Sequence, residues 1–225
     1  MTALYLVAVP IGNYADITLS GIETLKNVDV VIGEERASTE RTLKRLGILD
    51  KEIWILNEHN EQNEAQDIFR QIVDRDIFVA LISEAGTPCI ADPGAILVDL
   101  FHQHKLPVVP VPGVSSVMTA MMVAGLQKED FKYIGFLSAN TESRRKELKK
   151  HNDERIPIVF LEAPYRMKQV LKDIYDICGK DKRIVFCYKL TQPEETIIKA
   201  TIKEVLDKIA AFKKGEFAVV LLPNS

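Results

Sequence analysis

The chain alternates between short, continuous apolar runs and longer stretches in which apolar residues recur every three or four positions. The runs at 4–9, 28–32, 53–56, 77–82 and 107–111 predict strands buried on both faces. Between them, Ile22 and Leu25, the stretch 38–47, the stretch 61–75 with Ile68, Ile72 and Val73, and the stretch 93–104 predict helices with one inward face. Asp16 or Thr18 can cap the first of these, and Gly47 closes the second. An apolar helix follows at 117–124. Strands and helices alternating in this way argue for a parallel sheet covered on both sides. The polar stretch 125–132 reads as a linker, so an α/β domain at 1–124 precedes a second α/β domain at 125–225. In the second, strands are expected at 133–137, 158–161, 183–188 and 217–222, with helices at 143–151, 167–178 and 203–212.

The strand at 77–82 runs into Ser83-Glu84-Ala85-Gly86-Thr87-Pro88-Cys89-Ile90-Ala91-Asp92-Pro93-Gly94. Asp92 is the expected N-cap of the next helix and Pro93 its first residue, where a missing N–H costs nothing. Gly86 and Gly94 permit unusual backbone angles, while the prolines stiffen the loop. An ordinary tight connection suits these residues alone about as well as a ligand loop does. Two similar loops follow other first-half strands: Pro10-Ile11-Gly12-Asn13-Tyr14-Ala15-Asp16 and Pro112-Gly113-Val114-Ser115-Ser116. In open α/β sheets, ligands bind beyond such strand ends.

Composition changes this picture little. With 225 residues, 47% hydrophobic and 27% charged, the chain matches ordinary globular proteins. No apolar stretch approaches the ~20 residues that span a bilayer, and the N-terminus lacks signal-peptide features, so a cytoplasmic location without membrane partners is expected. Cys89, Cys178 and Cys187 show neither metal spacing nor an even disulfide set, and the four histidines show no ligand spacing; no metal is expected. Tyr5 and Trp54 read as core residues and Cys89 as a small loop residue. Charge adds more: residues 1–112 carry a net −8 and residues 113–225 a net +5. Such asymmetry suits an anionic partner, though solvated surface explains it nearly as well. The densest basic cluster is Arg144, Arg145, Lys146, Lys149 and Lys150, with Arg155 nearby. Arg145 and Lys149 share one helix face, which suits RNA phosphate if RNA is the substrate, while a solvated face that keeps the protein soluble explains it at least as well.

Several of these stretches together resemble the tetrapyrrole-methylase superfamily of S-adenosylmethionine-dependent methyltransferases. They are residues 4–13 with Asp16-Ile17-Thr18-Leu19, the loop 83–94, Pro110-Val111-Pro112-Gly113-Val114-Ser115, Gly135-Phe136-Leu137, Glu162-Ala163-Pro164-Tyr165-Arg166, and Gly215-Glu216-Phe217-Ala218-Val219-Val220. They run in family order from end to end. The resemblance implies two α/β domains with S-adenosylmethionine between them, and a homodimer. It points to Pro10, Ile11, Glu84, Ala85, Gly86, Thr87, Ile90, Ser115, Ser116, Leu161, Glu162 and Ala163 as cofactor contacts. The nearest branch methylates a ribose 2′-oxygen in RNA of the 30S ribosomal subunit. A tetrapyrrole or other small-molecule acceptor, or cofactor binding without catalysis, are the alternatives.

A hydroxyl acceptor must lose its proton, and Glu34 and Glu35 at the end of the second strand are the candidate bases. The chain departs from that branch at Glu84, where Asp is usual. It also departs at Glu34-Glu35-Arg36-Ala37-Ser38-Thr39, where the Arg and His of the usual Glu-Asp-Thr-Arg-His-Thr are replaced. Members of the branch usually carry a further segment beyond the stretch matching 217–222.

Overall fold

The computed structural model describes residues 2–126 and 130–224, so part of the expected linker lies outside the described residues. The chain forms two compact units, Met1–Ser115 and Ser116–Ser225. In the first, β1 (Ala3–Val7), α1 (Leu19–Asn27), β2 (Val30–Gly33), α2 (Arg36–Arg45), β3 (Glu52–Ile55), α3 (Glu61–Arg75), β4 (Phe78–Leu81), α4 (Ala95–Gln103) and β5 (Val108–Val111) follow one another. Their strands lie in the order β3-β2-β4-β1-β5, and every pairing is parallel. Side chains alternate across the strands. Leu4, Val30, Ile32, Val79 and Leu81 pack with Ile68, Phe69 and Ile72 of α3 and Leu97 and Phe101 of α4. Val7, Val31 and Ala80 pack with Leu25 of α1 and Leu43 of α2. Both faces are thus covered, which is why these strands are apolar throughout. Thr18 caps α1, its side chain accepting from Gly21 N–H at 3.0 Å.

The second unit opens with α5 (Ser116–Ala124) and continues through β6 (Lys132–Phe136), α6 (Thr141–Asn152), β7 (Ile158–Glu162), α7 (Met167–Cys178), β8 (Arg183–Tyr188), β9 (Thr196–Thr201), α8 (Ile202–Lys208) and β10 (Phe217–Leu221). Helix α5 packs on β10, β7 and β8, so it sits with this unit rather than with the residues before it. Its last carbonyl, Ala124, accepts from Lys199 Nζ at 2.8 Å. The strand order is β6-β7-β10-β8-β9. Only β6 and β7 run parallel; the other pairs are antiparallel. Phe160, Phe186, Val219 and Leu221 of the sheet meet Leu148, Leu171, Ile174 and Val205 of α6, α7 and α8.

Strand β9 is an element the sequence reading passes over. It is an edge strand whose Thr196-Ile197-Ile198-Lys199-Ala200-Thr201 places only Ile198 fully inside, so no apolar run announces it. No described helix is long and apolar enough to cross a membrane.

The basic run of α6 is only partly free: Arg144, Arg145 and Lys146 are engaged by carboxylates, while Lys149 and Lys150 are exposed without a carboxylate partner among the described residues. Arg144 is 1% exposed and lies in the core. Its Nε donates to Asp173 Oδ2 at 2.8 Å, and its Nη1 donates to the Ser138 and Ala139 carbonyls. Arg145 reaches Asp173 at 2.7 Å and Asp176 at 3.0 Å, and Lys146 meets Glu142 at 2.9 Å. Helical periodicity places Arg144 above Leu148, and that face turns inward. A buried guanidinium left without its carboxylate is costly, so Asp173→Ala is expected to lower stability by about 3–5 kcal/mol. Urea unfolding measures this; an unchanged midpoint would show that the pair contributes nothing.

Candidate active site

In the first sheet, β1 and β4 are neighbours, yet their connections leave in opposite directions, β1 towards β2 and β4 towards β5. Such a switch point opens a crevice at the carboxyl ends of the strands, where α/β sheets bind ligands. The loops leaving it are joined there. Val9 N–H donates to the Gly86 carbonyl at 2.8 Å and Gly86 N–H to the Val9 carbonyl at 3.0 Å. Gly86 has φ +84°, a region that suits glycine. The Ser83 hydroxyl donates to the same Gly86 carbonyl at 3.2 Å. The third loop is tied in by the Thr87 hydroxyl, which donates to the Val114 carbonyl at 3.0 Å. The three loops singled out by the sequence therefore form one assembly.

Within it, Pro10 and Ile11 are buried, Thr87 and Ser115 are half-buried, and Glu84, Ala85 and Ile90 are exposed. The central loop is held in an uncommon shape, with Cys89 and Ala91 both left-handed at φ 64° and 66°. Burial pushes the Cys89 thiol up to about 11, which fits its reading as a packing residue. Asp92 does not cap α4. That helix starts at Ala95, after Gly94 at φ +124°, and Glu61 Oε1 accepts from both Gly94 N–H and Ile96 N–H at 2.9 Å. A Cβ on Gly94 would lie 2.3 Å from Leu81 Cδ2 and 2.9 Å from Cys89 Sγ, so a side chain there would have to displace both, at a φ that disfavours any residue but glycine.

Released from capping, Asp92 joins a set of carboxylates. Burial, and then the charge of Glu84, pushes it up to about 6. Glu34, one residue beyond β2, accepts from Glu84 N–H at 3.2 Å. Burial, followed by the charge of Asp92, raises Glu34 to about 7; Glu84 and Glu58 add to the rise, and the Glu84 N–H opposes it. Glu34 thus changes protonation near neutrality. Glu35 differs: it is exposed at the N-cap of α2 and makes no side-chain capping bond. Only Glu34 of the two candidate bases stands among the loops. Arg36 donates to the Ile53 carbonyl at 2.9 Å and lies 3.7 Å from Glu40.

In the second unit, Leu161, Glu162 and Ala163 close β7. The Glu162 side chain is fully buried, and its Oε1 lies 3.0 Å from Arg166 Nη1 and 2.9 Å from Ala163 N–H. Arg166 also donates to the Leu137 and Ser138 carbonyls. Arg166, held by the Glu162 carboxylate, therefore fastens this strand end to the residues that follow β6. Ser116 opens α5.

Two participants escape sequence reasoning. Asp92 is hidden because a residue before Pro93 reads as a cap. Tyr14, whose ring carries the Arg45 guanidinium 4.8 Å from its centroid, has no motif at all.

Rigid loops, half-buried hydroxyls, an exposed apolar Ile90 and unpaired carboxylates together suit a ligand with a flat heterocycle and a cationic centre. S-adenosylmethionine, with an adenine ring, an ammonium and a sulfonium, has that chemistry. Among the described residues no His, Cys, Asp and Glu group is arranged to hold a metal.

Residues 3–206 match the family described as Tetrapyrrole (Corrin/Porphyrin) Methylases. The chain is 36% identical over 221 residues to ribosomal RNA small subunit methyltransferase I of Escherichia coli O157:H7, covering 97% of this chain and 77% of that one. It is 34% identical over 226 residues to the protein of the same name from Bacillus subtilis (strain 168), covering 98% and 75%. In fold it is similar to diphthine synthase, with TM-score 0.78 and 16% identity over 98% of this chain and 90% of that one. It is also similar to a cobalamin biosynthetic enzyme, cobalt precorrin-4 methyltransferase, with TM-score 0.69 and 19% identity over 98% and 94%. The chain belongs to the tetrapyrrole methylase family and, with it, to the methyltransferases that use S-adenosylmethionine as methyl donor.

Proposed function

We propose that this chain methylates a ribose 2′-oxygen in the RNA of the small ribosomal subunit, in the cytoplasm, with Glu34 receiving the hydroxyl proton. The names of the relatives support the substrate. The observation that carries the chemistry is Glu34, a half-buried carboxyl raised to about 7 beside the central loop. A general base works best when its pKa lies near the operating pH.

When bound, S-adenosylmethionine supplies an electrophilic methyl group whose departure leaves a neutral thioether. Pro10, Ile11, Glu84, Ala85, Gly86, Thr87, Ile90, Ser115 and Ser116 are its proposed contacts, with Leu161, Glu162 and Ala163. The backbone serves at Glu162, because that carboxylate is already paired with Arg166. The Val9–Gly86 pairing and the Thr87 hydroxyl hold the loops before any ligand arrives, so alignment costs little ordering on binding. Glu34 removes the hydroxyl proton at its carboxylate as the oxygen–carbon bond forms, while Asp92, Glu84 and Glu58 keep its proton affinity high.

The signs follow from the raised pKa. Below about 7 Glu34 holds a proton and cannot accept another, so methyl transfer should rise with pH through that value and then level. Glu34→Gln should abolish the rise and lower kcat by roughly 10²–10⁴. A tritium-methyl assay on 30S subunits from cells lacking the gene reads both; an unchanged profile in the variant removes Glu34 from the role. Label entering small metabolites but not RNA would replace the substrate.

We also propose that the protein works as a homodimer. Met118 and Met122, one turn apart on α5, are 57% and 73% exposed, and Ile197 of β9 is 38% exposed. Light scattering should give about twice the chain mass of 25.3 kDa. A monomer across micromolar concentrations would contradict it.

A further inference from the structure

Residues 1–112 hold nine Lys and Arg, and four of them fall within the ten residues of α2: Arg36, Arg41, Lys44 and Arg45. Glu40 is the one acid among them, so this helix carries a net +3 within a stretch of net −8. Thr39, Thr42 and Leu43 are its buried residues, which leaves Arg41, Lys44 and Arg45 exposed on the outside. Arg41 and Lys44 have no carboxylate partner among the described residues. Several other cations are balanced, Arg70 by Asp67, Arg75 by Glu52 and Arg145 by Asp173 and Asp176, whereas Lys149 and Lys150 of α6 are exposed without a carboxylate partner among the described residues and serve as the comparison.

The placement matters as much as the charge. Helix α2 begins two residues after Glu34. Near its other end, Arg45 lies over the ring of Tyr14, in the loop that follows β1. One rigid helix thus connects the proposed base to the first site loop and presents uncancelled positive charge along the way. The rest of this unit is acidic and repels polyanions, so a nucleic acid approaching Glu34 has this surface to hold.

We propose that the outer face of α2, through Arg41, Lys44 and Arg45, grips RNA phosphates and seats the strand carrying the acceptor ribose. The proposal rests on RNA being the substrate. Contacts of this kind set position and register and carry no base sequence. Of the residues that the sequence offers for this task, Arg145 is engaged by Asp173 and Asp176, and the proposal places the grip on another helix.

The test compares wild type, Arg41→Glu with Lys44→Glu, and a control bearing the same charge change on α6, Lys149→Glu with Lys150→Glu. Arg45 is left in place so that Tyr14 keeps its partner. Each protein is titrated with 30S subunits from cells lacking the gene, from about 50 to 200 mM salt, and with S-adenosylmethionine alone. Each phosphate contact contributes roughly 0.7–0.9 to the log–log salt slope. The α2 variant should therefore lose about 1.5 of that slope and bind at least roughly tenfold more weakly near 100 mM salt. Its cofactor affinity and melting temperature should be unchanged, and the α6 control should behave as wild type. Equal losses in both variants would reveal a diffuse charge effect and overturn the assignment to α2, as would wild-type affinity and slope in the α2 variant. A wild type that binds cofactor but no RNA at any salt removes the RNA reading itself, a result separable from either.

Discussion

Two hydrogen bonds between Val9 and Gly86 hold the candidate site together. They join the loop after β1 to the loop after β4 at the point where the sheet's connections diverge. Without them, two long connections would leave the strand ends separately and pay the ordering cost of a binding loop when ligand arrives. With them, Ser83, Gly86 and Thr87 are fixed relative to Pro10 and Ile11, and Thr87 extends the same order to Val114. The positive φ of Gly86 is the local condition for this pairing.

The same assembly explains its electrostatics. Because Glu61 satisfies the N–H groups at the start of α4, Asp92 is released to stand near Glu84 and Glu34. Half-buried carboxyls that crowd one another resist full ionisation, which is what lifts Glu34 to about 7. Such a cluster favours cationic ligands and provides a proton acceptor near neutral pH. A few residues along the chain, α2 turns the opposite charge outward. Acid around the proposed chemistry and base along the proposed substrate path thus come from one strand–helix unit.

Much of this was legible in the residues. The strands of the first sheet are continuous apolar runs because both faces are covered, and the three loops announce themselves through Gly and Pro. Less legible were features settled by contacts distant in sequence. Asp92 looks like a cap until Glu61, from α3, takes the position. Arg144 looks like surface charge until Asp173 of α7 draws it into the core. Strand β9 has little apolar content because it lies at an edge. In each case local pattern was overridden by a partner that no spacing rule identifies.

The central claim is that the Val9–Gly86 pairing shapes the cofactor site, and calorimetric titration of S-adenosylmethionine tests it most directly. Wild type should bind at micromolar affinity, on the order of −8 kcal/mol. Valine at position 86 is strained at φ +84°, so Gly86→Val should remain folded by circular dichroism yet bind at least roughly tenfold more weakly. A folded Gly86→Val protein that binds the cofactor as wild type does would contradict the account.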